Sequence, residues 1–296
     1  MSAWRRAYSR PAAWFLLPAL LLLAVFVAWP LLRCCWWSMH DTDLLAIQRQ
    51  RWVGLSQYSD LLTDARFQQA FANTALFAVM VVPFQTLAAL LLALWVNRPE
   101  AAWRWLRVAF FVPTVVAMPV LAILWTMLYQ PASGDTMGPV NAITTALGFE
   151  AQAWLFDPGL ALPALAFMSI WQGVGLQMMV FLAGLQAAPR DPIEAALLDG
   201  ANAFRRAWHV TLPALRNTII FVVSVTTILA FRLFVQPYLM TRGGPAGATR
   251  SVIQAIYELT FVSQDLGRAC AGALIFLLAL GVVTLCIRRA VREEGP

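Results

Sequence analysis

The chain has 296 residues; 60% are hydrophobic, only 12% are charged, and the formal net charge is +6. Soluble domains average about 45–50% apolar and about 25% charged residues, so this chain has too few charges to cover a water-facing surface. The apolar excess falls in long blocks, which excludes a soluble enzyme, a disordered chain and a disulfide-stapled secreted module and points to a membrane. All 21 basic residues are arginines. No basic run with interleaved aromatics occurs, so the positive charge is not read as a nucleic-acid footprint.

The first apolar run, Ala12 to Leu32, is roughly 32 Å long as a helix and can span a bilayer. It follows Arg5, Arg6 and Arg10 but is too long for the apolar core of a signal peptide, and further spans follow it. The next runs are Phe71–Val96, Val108–Leu128, Leu160–Ala187, Asn217–Met240 and Ala269–Ile287. The expectation is an all-α membrane protein with six transmembrane helices, forming a single transmembrane domain over residues 1–296. Pro83, Pro113, Pro119, Gly173, Gly175 and Pro237 sit within the runs, where they kink membrane helices without forbidding them.

Six spans place both termini on one side. Segments on that side hold thirteen arginines and six acidic residues; the opposite side holds seven arginines and nine acidic residues, and Arg232 lies inside a span. The positive-inside rule puts both termini in the cytoplasm. Three outer loops, Arg33–Ala70, Tyr129–Gly159 and Thr241–Arg268, are too short to form a globular binding domain. A short surface helix is expected near Leu61–Phe67.

The longest cytoplasmic loop, residues 189–213 and on to Arg216, reads as two short helices around a sharp turn. Asp191 suits an N-cap, Pro192 the first helical position and Glu194 the third, a capping-box arrangement. Asp199-Gly200 supplies the turn, because glycine reaches left-handed dihedrals at low cost. Ala203–His209 forms the second helix, and Pro213 opens the fifth span. Helices this short are marginal alone and must dock on something. Ala195, Ala196 and Ala201 permit close approach, while Phe204 and Trp208, four apart, share a face.

The string Glu194-Ala195-Ala196, then Asp199-Gly200-Ala201, then Leu212-Pro213 resembles the EAA loop of ATP-binding-cassette importer permeases. Ala183-Gly184-Leu185-Gln186, Trp171-Gln172-Gly173-Val174-Gly175, Asn73-Thr74, Val82-Pro83-Phe84-Gln85 and Asn97-Arg98 are similar to the carbohydrate-uptake branch. Thr241, Arg242, Gly243, Gly244 and Pro245 resemble the threonine-glycine-glycine-proline loop of the maltose and glycerol-3-phosphate first-permease type, and Tyr257, Phe261 and Asp265-Leu266-Gly267 continue the match. The resemblance spans about Ala12 to Arg289. Three positions depart from it: Ala207 replaces a bulky aromatic, Arg242 interrupts a glycine run, and Val210 replaces isoleucine.

The resemblance implies a bacterial inner-membrane permease without cofactors. Its partners would be a second, different permease, two ATPase subunits that hydrolyse ATP in its stead, an extracytoplasmic solute-binding protein, and membrane lipid. The 189–213 loop would be the coupling helix. The implied solute is a sugar, oligosaccharide or glycerol phosphate. An importer for another solute class, such as polyamines or phosphate, and a secondary transporter working without an ATPase are the rival readings.

For single residues, two readings stand side by side. Glu194 either only starts a helix or also presents a charge to the ATPase. Arg232, about 22 Å into its span, either snorkels to the outer interface, or lines the solute path or bonds to loop carbonyls; the resemblance favours a structural role shared across substrates. Gln172 and Gln177 either bond neighbouring helices or bind solute. Trp125, Trp171, Phe231 and Phe234 are possible sugar-stacking faces. Cys34, Cys35, Cys270 and Cys286 form no zinc pattern, and His40 with Asp41 and Asp43 is too sparse for a metal site. No P-loop, nucleophile triad or metalloprotease motif is present.

Overall fold

The computed structural model describes residues 15–98, 100–132, 136–189 and 191–292. Arg5, Arg6, Arg10, Arg190 and the expected span start at Ala12 lie outside the described residues. The chain is mostly helical and divides into two compact units. Among the described residues four helices are long and apolar enough to cross a membrane, and up to six if each of two bent pairs counts as one span.

The first unit holds the residues up to Asp64 together with Ile256–Leu278. Helix α1, Phe15–Trp37, exposes Phe15, Leu20, Leu21, Leu22 and Phe26, a side-chain set suited to lipid. Beyond it, strands β1 (His40–Asp41) and β2 (Arg51–Trp52) pair antiparallel, with His40 opposite Trp52. Helix α2, Ser56–Thr63, is tied to the strand by Gln57, whose Nε2 donates to the His40 carbonyl at 2.9 Å. This short surface helix begins five residues ahead of the expected Leu61. His40 is buried, bonded to the Trp36 carbonyl through Nδ1 and in ring contact with Trp36 and Trp52, so its role here is packing. Cys34 Sγ donates to the Cys270 carbonyl at 3.7 Å.

The second unit, built from Ala65–Ala255 and the residues from 279 on, carries most of the spans. Helix α3, Ala65–Val96, starts six residues before the expected Phe71 and keeps Pro83 inside it. Helix α4 (Ala101–Val115) and helix α5 (Met118–Leu128) replace the expected single run Val108–Leu128 and meet at 99°. Val116 and Ala117 are extended and Pro119 stands in the first turn of α5. A proline has no N–H to continue the preceding helix but suits a new helix start, so the run breaks ahead of it. Helix α6, Pro139–Ala146, carries the fully buried Asn141, whose amide holds the Gln130 and Gln152 carbonyls, the Gln152 N–H and the Trp154 indole.

Helix α7, Ala161–Ala187, is the central element. It packs along α3, with α4 and α10 (Arg216–Phe231) against it. One core cluster joins Phe77, Val81, Leu165, Met168 and Ala230; another joins Ala89, Ala93, Val174, Met178 and Phe181. Small residues allow this close approach. At Gly175 an added Cβ would strike the Phe110 carbonyl oxygen of α4, and Thr114 of α4 donates to the Gln172 carbonyl at 2.9 Å. The expected fifth run, Asn217–Met240, is also divided: α10 ends at Phe231, Arg232 is its C-cap, and a separate turn, Pro237–Thr241, follows. Pro237 again marks the restart. Helix α11 covers Val252–Val262 and α12 covers Leu266–Arg292.

Candidate coupling loop and solute path

In the 189–213 loop, helix α8 (Asp191–Leu198) holds Asp191 and Glu194 in its first turn, where the partial positive charge of a helix N-terminus favours carboxylates. Asp191 is the first residue of the helix rather than a residue ahead of it. Ala195 and Ala196 follow on α8. The Gly200 N–H bonds the Leu197 carbonyl at 3.1 Å and the Ala201 N–H bonds the Ala196 carbonyl at 3.0 Å. With Gly200 at φ +73°, this is the paired-bond helix stop that a left-handed glycine makes possible. Asp199 immediately precedes that glycine, with its N–H on the Ala195 carbonyl.

Helix α9, Ala203–Ala214, comes next and is bent by 70° from α10. Its N-cap is Asn202, whose side chain accepts the Arg205 N–H at 2.8 Å. The sequence reading overlooked Asn202, although Asn before a short helical segment is a capping signal. Arg206 closes back on the Ala201 carbonyl at 2.7 Å. Leu212 and Pro213 lie in the last turn of α9, so Pro213 ends this helix instead of opening the fifth span. Phe204 is 75% exposed and Trp208 60% exposed, with their rings stacked 6.3 Å apart. The two rings thus form a small exposed apolar patch on one face of α9.

Within the second unit a cavity of about 630 Å³ opens between α3, α4, α7 and α10, inside the ~300–1,000 Å³ range of small-molecule sites. Gln172, Gln177 and Arg232 all line it. They are joined by Gln85 and by Thr114, Ser169, Thr226 and Gln236, which the sequence reading did not single out. Gln177 Nε2 donates to Thr226 Oγ1 and Gln236 Nε2 donates to Ser169 Oγ at 3.2 Å. The remaining wall is apolar. Its aromatic members are Phe77 and Phe221. Trp125 instead packs edge-to-face on Trp171 at 5.5 Å, and neither of them, nor Phe231 or Phe234, is on the cavity wall.

The residues Thr241, Gly243, Gly244 and Pro245 form a tight loop. Thr241 Oγ1 and Thr249 Oγ1 are 2.6 Å apart, and Thr249 also donates to the Gly244 carbonyl at 2.8 Å. Gly243 has φ +81°, and a Cβ there would meet the Gln254 side chain. The Gly244–Pro245 peptide is cis. Asn73 pins the loop to α3 by donating to the Gly247 carbonyl at 2.7 Å and the Arg250 carbonyl at 3.0 Å, and Thr74 accepts the Val252 N–H at 3.1 Å.

Against this geometry stand the likenesses to known proteins. The family described as binding-protein-dependent transport system inner membrane component matches residues 65–292. The probable ABC transporter permease protein YurN of Bacillus subtilis is 32% identical over 95% of this chain and 96% of its own length. The sulfoquinovosyl glycerol transport system permease protein SmoG of Agrobacterium fabrum is 30% identical over 96% of this chain and 91% of its own. A chain of the bacterial alginate ABC transporter, solved in complex with alginate pentasaccharide-bound periplasmic protein, has the same fold. It superposes with a TM-score of 0.84 at 19% identity, over 99% of this chain and 98% of that one. The chain belongs to the family of binding-protein-dependent transport system inner membrane components.

Proposed function

We propose that the chain is one permease subunit of an ATP-driven importer for a sugar, oligosaccharide or glycerol phosphate. It crosses the membrane six times as a single permease domain over residues 1–296, with both termini in the cytoplasm. The bent pair α4–α5 serves as the third span, and α10 with the turn that follows it serves as the fifth. A different second permease completes the solute path, two ATPase subunits bind below it, and an extracytoplasmic binding protein delivers solute from outside. The sugar-type solute is supported by the substrates named for a relative and a structural neighbour and by the amides and hydroxyls set in an otherwise apolar cavity wall.

The observation that carries the coupling reading is the exposed Phe204–Trp208 stack, presented on two short helices around Gly200. Neither helix is long enough to stand alone. In this reading the 189–213 loop is the EAA loop, and the ATPase covers the aromatic pair. Glu194, Ala195, Ala196, Asp199, Gly200, Ala201, Phe204, Leu212 and Pro213 form its docking surface. Closure of the ATPase dimer on ATP moves this loop, and the 70° bend into α10 passes the motion to the cavity wall. Gln172, Gln177 and Arg232 face the solute. The Thr241–Pro245 loop, anchored by Asn73, faces the binding protein.

The test is co-purification. The chain is expressed with its neighbouring operon products and extracted in mild detergent, alongside Glu194→Arg. Recovery of an ATPase and a second permease with the wild type, and a weakened ATPase with the variant, is the expected result. Recovery of the chain alone in both cases, at intact yield, would put the ATPase-independent transporter ahead.

A further inference from the structure

We propose that Arg232 selects for charge in the 630 Å³ cavity and that the transported solute is a polyhydroxylated compound bearing an acidic group. This inference rests on the permease reading above and narrows its substrate class.

Among the described residues Arg232 is the one charged side chain on the cavity wall, and no Asp or Glu lines it. Among the described residues its guanidinium makes no hydrogen bond or ion pair. It caps α10, where the span breaks, so backbone and charge meet at the cavity. A cation at membrane depth is costly unless it faces water, a partner or a ligand. A guanidinium with five donors matches a carboxylate, sulfonate or phosphate through two parallel bonds.

The second requirement comes from Gln177. This side chain is only 7% exposed, and its Oε1 is buried with no partner. Its Nε2 is already committed to Thr226 Oγ1. The hydroxyls of Thr226 and Ser169 in turn donate to the Val222 and Leu165 carbonyls within their own helices. The groups beside Gln177 thus donate elsewhere, and its Oε1 is left as an acceptor without a donor. A buried acceptor without a donor is expensive, and a solute hydroxyl supplies that donor. One anionic group for Arg232 and at least one hydroxyl for Gln177 define an acidic sugar or polyol.

The importer assembly is purified in detergent without its binding protein, so that only the permease cavity is read. Binding of D-glucuronate and D-glucose, and of sn-glycerol 3-phosphate and glycerol, is titrated by saturation-transfer NMR. The acidic member of each pair should bind at least about tenfold tighter, the ratio one charge-assisted contact supplies, and the preference should shrink as salt rises. Arg232→Gln should bring the ratio close to one, and Arg232→Lys should keep part of it. The wild-type ratio decides the matter even if a variant fails to assemble. Equal binding of acidic and neutral probes, or an acid preference that survives Arg232→Gln, overturns the inference and leaves the importer reading standing. Binding of none of the four probes also overturns it, and loss of ATPase co-purification in the same preparation would show that the importer reading falls with it.

Discussion

Gly200 offers a perturbation whose size can be worked from geometry alone. Its φ is +73°, and a Cβ added there would find no atom within 4 Å. Substitution therefore costs backbone strain without a clash. An L-residue in the left-handed region costs roughly 1–2 kcal/mol. Asn tolerates it best after glycine, and a β-branched residue tolerates it least. The strain acts on the two bonds that stop α8, Gly200 N–H to Leu197 and Ala201 N–H to Ala196, and so on the angle between the two short helices. Ala at about 1 kcal/mol lowers the correctly turned population roughly fivefold, and Val at about 2 kcal/mol lowers it roughly thirtyfold, relative to open alternatives. The expected order of uptake per ATP hydrolysed, in proteoliposomes with matched permease content, is Gly200, then Asn, then Ala, then Val. A Val variant that couples like wild type, or an Asn variant worse than Val, would refute the left-handed stop as a working part of the loop.

Glu194→Ala should insert at normal abundance and retain ATPase activity while losing solute uptake; normal uptake in membrane vesicles would leave Glu194 as a helix-starting residue only. Gly175→Ala places a methyl on the Phe110 carbonyl and must part α7 from α4, at about 1–3 kcal/mol for overpacking; a detergent thermal-stability midpoint equal to wild type would mean the helices are not that close. Asp265 precedes α12 in the first unit. Burial pushes its carboxyl above the ordinary value, and the charges of Asp41 and Asp43 add to this, while the Arg268 N–H and guanidinium pull it back. A raised carboxyl favours the protonated form in the fold, so its contribution is present at low pH and lost as pH rises through the raised value. Asp265→Asn copies the protonated form and can still accept the Arg268 N–H. Its unfolding midpoint should be no lower than wild type at pH 7, with the difference closing below about pH 4; a clear loss at pH 7 would mean the ion pair with Arg268 dominates.

What could be read from the residues was whatever is local. The apolar blocks located the spans because a bilayer selects for length and hydrophobicity, and Asp199-Gly200 announced its turn because only one residue type reaches that φ cheaply. The bends were half legible. Pro119 and Pro237 marked where helices restart, but the 99° angle between α4 and α5 depends on what α7 and α3 offer for packing, and no periodicity carries that. The aromatic residues were no more legible: along the chain Trp125 and Trp171 are possible sugar platforms, and only the packing shows that they meet edge-to-face and lie off the cavity wall. The cavity lies furthest from sequence, since Gln85, Gln177 and Gln236 come from separate segments and converge only through tertiary packing. Arg232 joins both cases. Its charge within an apolar run was visible at once; that it stands at a helix end, and on a cavity wall, was not. The solute contact proposed for it makes Arg232 the group most worth changing.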